Sequence, residues 1–228
     1  METPKRIDIR SLTLAELQTQ LMAFGEPGFR AKQVYQWLWE KTCTNFDEMS
    51  NLSKSLRETL KTQFEICAVK IHQSQISEDR TIKNSFKLYD GNLVEGVLIP
   101  TTERMTACVS SQVGCSLTCK FCATGYMDRK RNLNADEIFD QVVLIAKQAE
   151  QNYKLALSNI VYMGMGEPLL NYANVLRSIE RITAEDGLNM SYKSITVSTA
   201  GIAKMIKKLG DDGVKFNLAL SLHAANDA

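Results

Sequence analysis

The sequence predicts an α/β protein in which a small helical domain and a β-hairpin precede a series of alternating strands and helices. The helical domain is indicated from Ser11 to Lys61, where apolar side chains recur with the period of 3.6 residues that is typical of helices. From Met105 onward, strand-like apolar runs alternate with helical ones, which is typical of parallel strands joined by right-handed crossovers. A chain of 228 residues is long enough for one large domain, or for one domain with a smaller companion.

The helical domain is predicted over residues 1–70 and is interpreted as an accessory domain. Its helical segments are LTLAELQTQLMAF, FRAKQVYQWLWEKT and SNLSKSLRETLKTQF, separated by GEPG and by TNFDEM. Residues 71–100 then change character, since KNSFKLYDGNLVEGVLIP alternates apolar and polar residues on both sides of Asp90 and Gly91. That pattern predicts a β-hairpin, which links the helical domain to the segment that follows.

Residues 101–228 are predicted to form the strand and helix series. The strands are MTACVSS, ALSNIVYMG, SITVST and VKFNLALSLH, and the helices between them are NADEIFDQVVLIAKQAE, YANVLRSIERITAE and AGIAKMIKKLG. Asn134 with Glu137 predicts a capping box at the start of the first of these helices, and Gly210 is expected to close the third. A fourth parallel strand without a following helix would leave apolar sheet surface and a strand edge uncovered. The sequence is therefore expected to be the N-terminal portion of a longer protein, with a complete four-stranded open sheet as the alternative.

The composition is that of a soluble globular protein, since 44% of the residues are apolar, 23% are charged and four are proline. The formal net charge of +1 does not by itself indicate binding to nucleic acid. The N-terminus has no apolar leader, and no stretch approaches the roughly 18 consecutive apolar residues that span a bilayer. We expect a cytoplasmic protein without a membrane partner.

Four of the six cysteines lie in CVSSQVGCSLTCKFCATG, which begins at Cys108. Cys115, Cys119 and Cys122 have the spacing C-x3-C-x2-C, and soft thiolates suit an iron–sulfur cluster or zinc. Structural zinc normally has four protein ligands, and Cys108 could supply the fourth, so a zinc site is an alternative. Three thiolates on a cluster would leave one iron open to a substrate or cofactor.

A glycine-rich turn, GMGEP, follows the second strand of the series. It is expected at the carboxyl end of the sheet, where ligands bind in parallel α/β folds. Its glycines let the backbone approach a ligand, and Glu167 can accept a hydrogen bond from an ammonium group. The ends of the third and fourth strands, at Ser198 and at Ser221 to His223, are expected at the same edge.

With Phe121 at its aromatic position, the cysteine pattern resembles the signature of the radical S-adenosylmethionine (SAM) superfamily. The resemblance implies a [4Fe-4S] cluster held by Cys115, Cys119 and Cys122, with SAM bound to the open iron. It also implies a partial (β/α) barrel of the radical SAM type, which would be truncated here after its fourth strand.

Five longer segments resemble the bacterial dual-specificity methyltransferases that act on C2 of adenine in 23S rRNA and tRNA: CVSSQVGC, GMGEPL, SITVSTAG, NLALSLHAAND and FRAKQVYQWLW. In that family SAM methylates a cysteine, a 5′-deoxyadenosyl radical from a second SAM abstracts hydrogen from the methyl group, and the resulting radical adds to C2. The methyl-carrying cysteine lies in a C-terminal segment that these residues do not include.

The same resemblance implies roles for individual residues. Glu95 matches the general base, and Cys108 matches the cysteine that helps to resolve the protein–RNA crosslink and can form a disulfide with the methyl-carrying cysteine. The implied SAM contacts are Gly166, Glu167, Ser198, Ser221, Leu222 and His223.

Basic residues make an RNA partner physically plausible. The run DRKR at 128–131 directly follows the cysteine loop and could draw a phosphate backbone toward the site. The helical domain adds basic residues suited to binding a structured RNA through its shape, namely Arg30, Lys32, Arg57 and Lys61. The resemblance implies 23S rRNA and tRNA as partners, an electron donor such as flavodoxin, and a monomeric enzyme.

Two alternative functions remain open from the sequence. One is the related methyltransferase that acts on C8 of adenine in rRNA and confers antibiotic resistance, because its motifs overlap strongly. The other is a catalytically incomplete module that binds the cluster and SAM.

Overall fold

The computed structural model describes residues 6–222, so the prediction for His223 lies outside the described residues. The chain divides into two compact units, which are residues 6–68 with 184–189, and residues 69–183 with 190–222. The first unit thus includes a short segment that the sequence assigned to the later strand and helix series.

The first unit contains three helices, α1 (Leu14–Ala23), α2 (Arg30–Trp39) and α3 (Lys54–Gln63). They coincide with the three predicted helical segments. Strands β1 (Ile7–Asp8) and β2 (Phe64–Glu65) form a short parallel pair. The apolar stripes of the helices are buried at Leu17, Leu21, Val34, Leu38, Trp39, Leu56 and Leu60.

The second unit is organised around one large β-sheet. Its strands are β3 (Lys70–Ile76), β4 (Ile82–Lys87), β5 (Leu93–Pro100), β6 (Met105–Cys108), β7 (Gln112–Val113), β8 (Arg131–Asn132), β9 (Asn159–Tyr162), β10 (Ile195–Thr199) and β11 (Asn217–Leu220). Among the described residues, seven of them form a sheet in the order β11-β10-β9-β6-β5-β4-β3, while β7 pairs with β8. Strands β6, β9, β10 and β11 are mutually parallel and coincide with the four predicted strands, which confirms the predicted α/β class.

Three helices connect the parallel strands: α4 (Ala135–Tyr153), α5 (Tyr172–Thr183) and α6 (Ala203–Asp211). The predicted cap of α4 is present, since the Asn134 N–H donates to the Glu137 carboxylate at 2.9 Å. Within residues 6–222, no helix combines the length and the apolar character that crossing a bilayer requires.

The prediction that Gly210 closes α6 is wrong. The helix continues through Gly210 to Asp211. The glycine with a left-handed backbone, φ +62°, is Gly213, which lies in the turn that follows. Gly210 therefore occupies an ordinary helical position, and the chain reverses three residues later than the sequence suggested.

The segment predicted as a hairpin is part of a larger antiparallel extension of the sheet. Strands β4 and β5 pair on either side of the turn 88–92, β3 pairs with β4, and β5 pairs with β6. The sequence did not predict β3, because the seven residues KIHQSQI are all exposed and carry no regular apolar alternation. Residues 71–100 therefore supply strands of the main sheet rather than only a connection.

The two faces of the sheet differ in burial. On the buried side of β4, Asn84 exchanges two hydrogen bonds with Gln148 of α4, at 2.8 and 2.9 Å, so α4 covers this face. On the other side β4 holds Lys83 and Ser85, and Ser85 pairs directly with Glu95 of β5. Direct cross-strand partners share a face. We call the face that carries these three residues the open face.

Candidate active site at the carboxyl edge of the sheet

The cysteines of the C-x3-C-x2-C pattern lie in a loop between β7 and β8. These two strands pair antiparallel, with Gln112 opposite Asn132, so the loop is closed at its base. Within the loop, the Cys122 N–H donates to the Cys119 carbonyl at 3.0 Å. The thiols are therefore presented from a short segment that is held by its own backbone hydrogen bonds.

A cavity of about 300 Å³ opens where the parallel strands end. It is bounded by the cysteine loop, the GMGEP turn after β9, and the ends of β10 and β11, which are far apart in the sequence. Its volume is in the range of small-molecule sites. The predicted site residues that line it are Cys115, Cys119, Cys122, Gly166, Glu167, Ser198 and Ser221.

Glu167 is 3% exposed and joins two turns of the cavity wall. Its carboxylate accepts hydrogen bonds from the N–H of Leu169 at 3.1 Å and from the N–H of Ala200 at 2.8 Å. Because Ala200 follows β10, the carboxylate ties the turn after β9 to the turn after β10. An ionised carboxylate has about four acceptor positions. Two backbone bonds therefore leave room for a further donor, such as an ammonium group, in the cavity.

Gln112, which the sequence did not single out, holds the cysteine loop against the GMGEP turn. It is fully buried. Its Nε2 donates to Asn132 Oδ1 at 2.8 Å, and its Oε1 accepts from the Glu167 N–H at 2.9 Å. The only hint in the sequence is a polar residue inside the segment CVSSQVGC, because the partners that define its role come from β8 and from the GMGEP turn.

Ser198 and Ser221 meet in the wall of the cavity. Their Oγ atoms lie 3.2 Å apart, and the Ser221 N–H donates to the Thr199 carbonyl at 2.9 Å. Leu222 is 70% exposed and is not among the residues that line the cavity. The structure thus brings the two serines together with the cysteine loop but does not place Leu222 there, and His223 lies outside the described residues.

Strand register places Glu95 and Cys108 on the open face. Val97, two residues after Glu95, pairs directly with Cys108, which in turn pairs with Val161 of β9. Residues two apart on a strand share a face, so Glu95 and Cys108 are diagonal neighbours, at roughly 7 Å for such pairs. Glu95 forms an ion pair with Lys83, with 2.7 Å between Oε1 and Nζ. Neither Glu95 nor Cys108 lines the cavity itself.

Cys108 carries a thiol rather than a thiolate at neutral pH. Burial raises its pKa to about 11, and a backbone hydrogen bond with Met163 offsets this only in part. All six cysteines are free in the structure. A neutral thiol is a weak nucleophile, so any nucleophilic role of Cys108 needs a base to remove its proton.

The donor set around the cavity is chemically suited to an iron–sulfur cluster, since three soft thiols line it. Among the described residues, no three His, Cys, Asp or Glu side chains converge as ligands of one ion would. In a [4Fe-4S] cluster each thiolate binds a different iron, so three thiols that line one cavity suit it. Cys108, the alternative fourth zinc ligand, is not among the lining residues.

The electrostatics of the cysteine loop favour a positive occupant. Burial raises the pKa of Cys115, and the nearby Cys119, Cys122 and Glu167 raise it further, whereas the Leu117 N–H, which donates to Cys115 Sγ at 3.4 Å, lowers it. Bound iron would offset the effect of burial and the effect of the nearby side chains on this pKa, because a coordinating thiol is deprotonated by the charge of the metal. The Cys115 thiol therefore ionises more readily when a metal is bound.

Arg131, the last residue of the predicted basic run, is engaged within the protein. Its Nη1 and Nη2 donate to the buried carboxylate of Glu137 at 2.7 and 2.8 Å, and its Nε donates to Asp90 at 2.6 Å. The hydrogen bond from Arg131 lowers the pKa of Asp90 to about 2. Arg131 therefore joins the β4–β5 turn to the base of the cysteine loop, and it is not available to a phosphate.

Comparison with known protein families gives two matches. Residues 109–228 match the Radical SAM superfamily, and residues 7–66 match the ribosomal RNA large subunit methyltransferase N-terminal domain. The first match covers more than half of the chain, and the cysteine-lined cavity lies inside it. The chain belongs to the radical SAM superfamily.

Individual relatives carry a more specific name. A protein of Cytophaga hutchinsonii named "Probable dual-specificity RNA methyltransferase RlmN" is 63% identical over 223 residues, which are 98% of this chain and 61% of the relative. One of Solidesulfovibrio magneticus named "Dual-specificity RNA methyltransferase RlmN" is 44% identical over 219 residues, 95% of this chain and 62% of the relative. These relatives confirm the resemblance found in the sequence motifs.

A solved structure agrees with the fold. The crystal structure of a radical SAM methyltransferase from Sphaerobacter thermophilus matches with a TM-score of 0.87 at 40% sequence identity, and it covers 97% of this chain and 65% of that one. The chain thus spans less than two thirds of the length of each of these three proteins.

Proposed function

We propose that this chain serves in a radical SAM enzyme that methylates C2 of adenosine in 23S rRNA and in tRNA, in the cytoplasm and as a monomer. The observation that carries the proposal is the cavity where the three thiols of the C-x3-C-x2-C pattern meet the GMGEP turn. The names of the relatives and the N-terminal family match support RNA as the substrate.

The residues of the cavity would divide between two cofactors. Cys115, Cys119 and Cys122 would hold a [4Fe-4S] cluster through their thiolates. Together, the cluster and SAM supply a reductive cleavage that yields a 5′-deoxyadenosyl radical, for which an electron donor such as flavodoxin is required. The SAM contacts are proposed at Gly166, Glu167, Ser198, Ser221, Leu222 and His223.

Glu167 is suited to orient the amino group of SAM. Its carboxylate is fixed by the two backbone N–H groups of Leu169 and Ala200, so it does not need to reorganise when a donor arrives. The serine hydroxyls at 198 and 221 lie at the same cavity and can both donate and accept. These groups would position SAM without taking part in the chemistry.

Glu95 and Cys108 are proposed to act on the RNA from the open face. Glu95 would accept the proton that leaves C2 of the adenine, and its ion pair with Lys83 holds the carboxylate on the open face. Cys108, whose thiol is neutral at working pH, would help to release the modified RNA from the protein and would form a disulfide with the methyl-carrying cysteine of the family. The target adenine must be exposed or flipped out for either residue to reach it.

Anaerobic reconstitution with iron and sulfide tests the cluster. Wild-type protein should turn brown and, with dithionite as the reductant, should cleave SAM to 5′-deoxyadenosine and methionine. Cys122→Ala should lose both properties. Cys67→Ala is the matched control, since Cys67 lies outside the cavity, and it should keep them. A Cys122→Ala protein with an unchanged visible spectrum would refute the cluster ligand.

Nucleoside mass spectrometry of treated RNA tests the reaction. The expected product from a 23S rRNA fragment or from tRNA is 2-methyladenosine, and Glu95→Gln should abolish it while SAM cleavage continues. A methyl group at C8 would overturn the proposed regiochemistry. A brown protein that cleaves SAM but leaves both RNAs unmodified would show that this chain alone is a cofactor-binding module.

A further inference from the structure

The open face continues past Glu95 onto β4 and β3, and there it is accessible and basic. Residues of β3 are exposed along the whole strand, and the outward residues of β4 include Lys83 and Lys87. The two strands contain three lysines and no acidic residue, since they read KIHQSQI and IKNSFK. Lys83 is already paired with Glu95, which leaves Lys70 and Lys87.

Lys70 and Lys87 lie directly opposite each other in the antiparallel pair of β3 and β4. Direct partners have their Cβ atoms about 5 Å apart, and like charges in such a pair are destabilising. Among the described residues, neither lysine forms a salt bridge. The sheet therefore keeps an unrelieved repulsion at this point, and an anion bound between the two ammonium groups would remove it.

The strand directions place this lysine pair at the same edge of the sheet as the candidate active site. Because β4 runs in the same direction as β6, Lys87 at its end lies at the edge where Cys108 ends β6. Lys87 pairs with Leu93, two residues before Glu95. Neighbouring strands are about 4.8 Å apart. Lys87 thus lies one strand to the side of Glu95, and Lys70 lies two strands to the side.

We propose that Lys70 and Lys87 bind the phosphate backbone of the RNA whose adenine is presented to Glu95 and Cys108. The inference rests on the proposed function and adds the surface that the RNA strand crosses on its way to the site. Single-stranded RNA near a splayed-out base offers phosphates without a deep groove, and two adjacent ammonium groups can neutralise them. Lysines on an edge strand also discourage sheet-to-sheet association. That purpose does not require two lysines opposite each other on one face.

The salt dependence of RNA binding tests the proposal on the full chain. Binding of a transcribed tRNA and of a 23S rRNA fragment would be measured over a series of salt concentrations. The double variant K70E/K87E should bind each RNA at least tenfold more weakly. The slope of log K against log salt should become shallower by about 0.7 for each phosphate that the variant no longer neutralises.

The matched control is K147E/K207E, which makes the same change in net charge at two exposed lysines of α4 and α6. It should keep the wild-type slope, and K70R/K87R should keep wild-type affinity. An unchanged slope in K70E/K87E, or an equal loss in both charge-reversed variants, would overturn the lysine surface.

Two further readouts separate this proposal from the proposed function. K70E/K87E should turn brown on reconstitution and cleave SAM without RNA at the wild-type rate, which also shows that it folds. If the wild-type chain bound neither RNA, the RNA substrate and the lysine surface would both be refuted. If the wild-type chain bound RNA, and K70E/K87E and K147E/K207E bound that RNA equally well, only the lysine surface would be refuted.

Discussion

Gly166 is restricted to glycine by its backbone and by its neighbour. Its φ is +96°, and a Cβ built at this position would lie 2.5 Å from the Cβ of Gln112. An alanine would have to push the GMGEP turn away from the cysteine loop, because a buried Gln112 has little room to move.

We therefore expect Gly166→Ala to weaken SAM binding by at least tenfold in reconstituted protein and to lower the melting temperature. Gly210→Ala is the control, since nothing lies within 4 Å of its built Cβ and it sits inside α6. That variant should gain about 0.5–1 kcal/mol in stability. Equilibrium dialysis with SAM and thermal unfolding measure the two effects, and equal SAM affinity in both variants would contradict the expected crowding.

Cys108 should show an abnormal pH dependence. Its folded pKa of about 11 lies above the ordinary value of a cysteine, roughly 8.5. Labelling by iodoacetamide at this residue, followed by peptide mass spectrometry, should therefore accelerate only as the pH approaches 11. In denaturant the midpoint should fall to about 8.5.

The same pKa shift has a consequence for stability. The neutral, buried form of Cys108 contributes stability that is fully present below the unfolded pKa and is lost as the pH rises through about 11. Cys108→Ser should reduce this alkaline loss. A labelling midpoint that is the same in folded and denatured protein would show that Cys108 is not buried in solution.

At the scale of secondary-structure elements, Gln112 connects three segments that lie far apart along the chain, namely β7, β8 and the GMGEP turn. The side chain bonds to Asn132 after the cysteine loop and to the Glu167 N–H in the GMGEP turn. Gln112→Ala would leave that buried N–H without an acceptor, which costs about 1–3 kcal/mol. It would also free the cysteine loop from the turn.

We expect Gln112→Ala to lower the free energy of unfolding in urea by about 2 kcal/mol, following the cost of an unsatisfied buried donor. Gln73→Ala on the exposed strand β3 removes the same side chain without such a partner, and it should change stability by less than about 0.5 kcal/mol. Equal effects of the two variants would show that the Gln112 hydrogen bonds do not hold the elements together.

Arg131 anchors the β4–β5 turn through a carboxylate that is almost fully buried. The Glu137 side chain is 1% exposed, so Arg131→Met would leave a buried charge without its partner, at about 3 kcal/mol or more. Replacing Glu137 by Gln in the same chain should recover part of this loss. Arg104→Met, at an exposed arginine, serves as the control and should be nearly neutral. Urea unfolding of Arg131→Met, Glu137→Gln, the double variant and Arg104→Met, each compared with wild type, measures the coupling.

The Arg131 ion pair also predicts behaviour in acid. The pKa of Asp90 is lowered to about 2, so its contribution to stability is present above the unfolded value of about 3.9 and is lost as the pH falls through about 2. This part of the acid dependence should be smaller in Arg131→Met, where Asp90 keeps only its hydrogen bonds from Asn92. An identical pH profile in wild type and variant would show that Asp90 is not paired with Arg131 in solution.

At the scale of the whole molecule, the second unit should be unevenly stable. Strands β6 and β9 have a paired neighbour on both sides, whereas β3 is the last strand of the described sheet and all its residues are exposed. Hydrogen exchange by mass spectrometry should therefore show β9 amides protected nearly to the global unfolding limit and β3 amides opening far more easily. Equal protection of the two strands would contradict this order. Added RNA should slow exchange in β3 if the lysine surface is occupied.

The parts of the fold that sequence alone predicted are those with local signals. Six helices and four parallel strands follow from apolar periodicity, and the cap at Asn134 follows from residue spacing. The set of three cysteine thiols could be predicted because C-x3-C-x2-C is a short-range pattern. Each of these signals is contained within a few residues, so no knowledge of distant contacts was needed.

The features that sequence analysis missed depend on partners far along the chain. Gln112 and Arg131 owe their roles to residues from other elements, and Arg131 looked like part of a basic run until its bonds to Asp90 and Glu137 were seen. Strand β3 has no apolar pattern because neither of its faces is buried. The end of α6 was misplaced because a glycine can continue a helix as well as stop one.

The bond between Glu167 and the main chain at position 200 has a consequence for which substitutions the cavity tolerates. The carboxylate binds the Ala200 N–H and makes no use of the alanine side chain. Position 200 should accept many small side chains in a saturation library yet reject proline, the one residue without an N–H. Proline should be rejected at position 169 as well, because the Leu169 N–H is the other partner of Glu167; this side chain is buried, so position 169 should also require an apolar residue. Part of the cavity wall is thus held by main-chain N–H groups. Since every residue except proline has this group, the identities of the side chains do not reveal the contact.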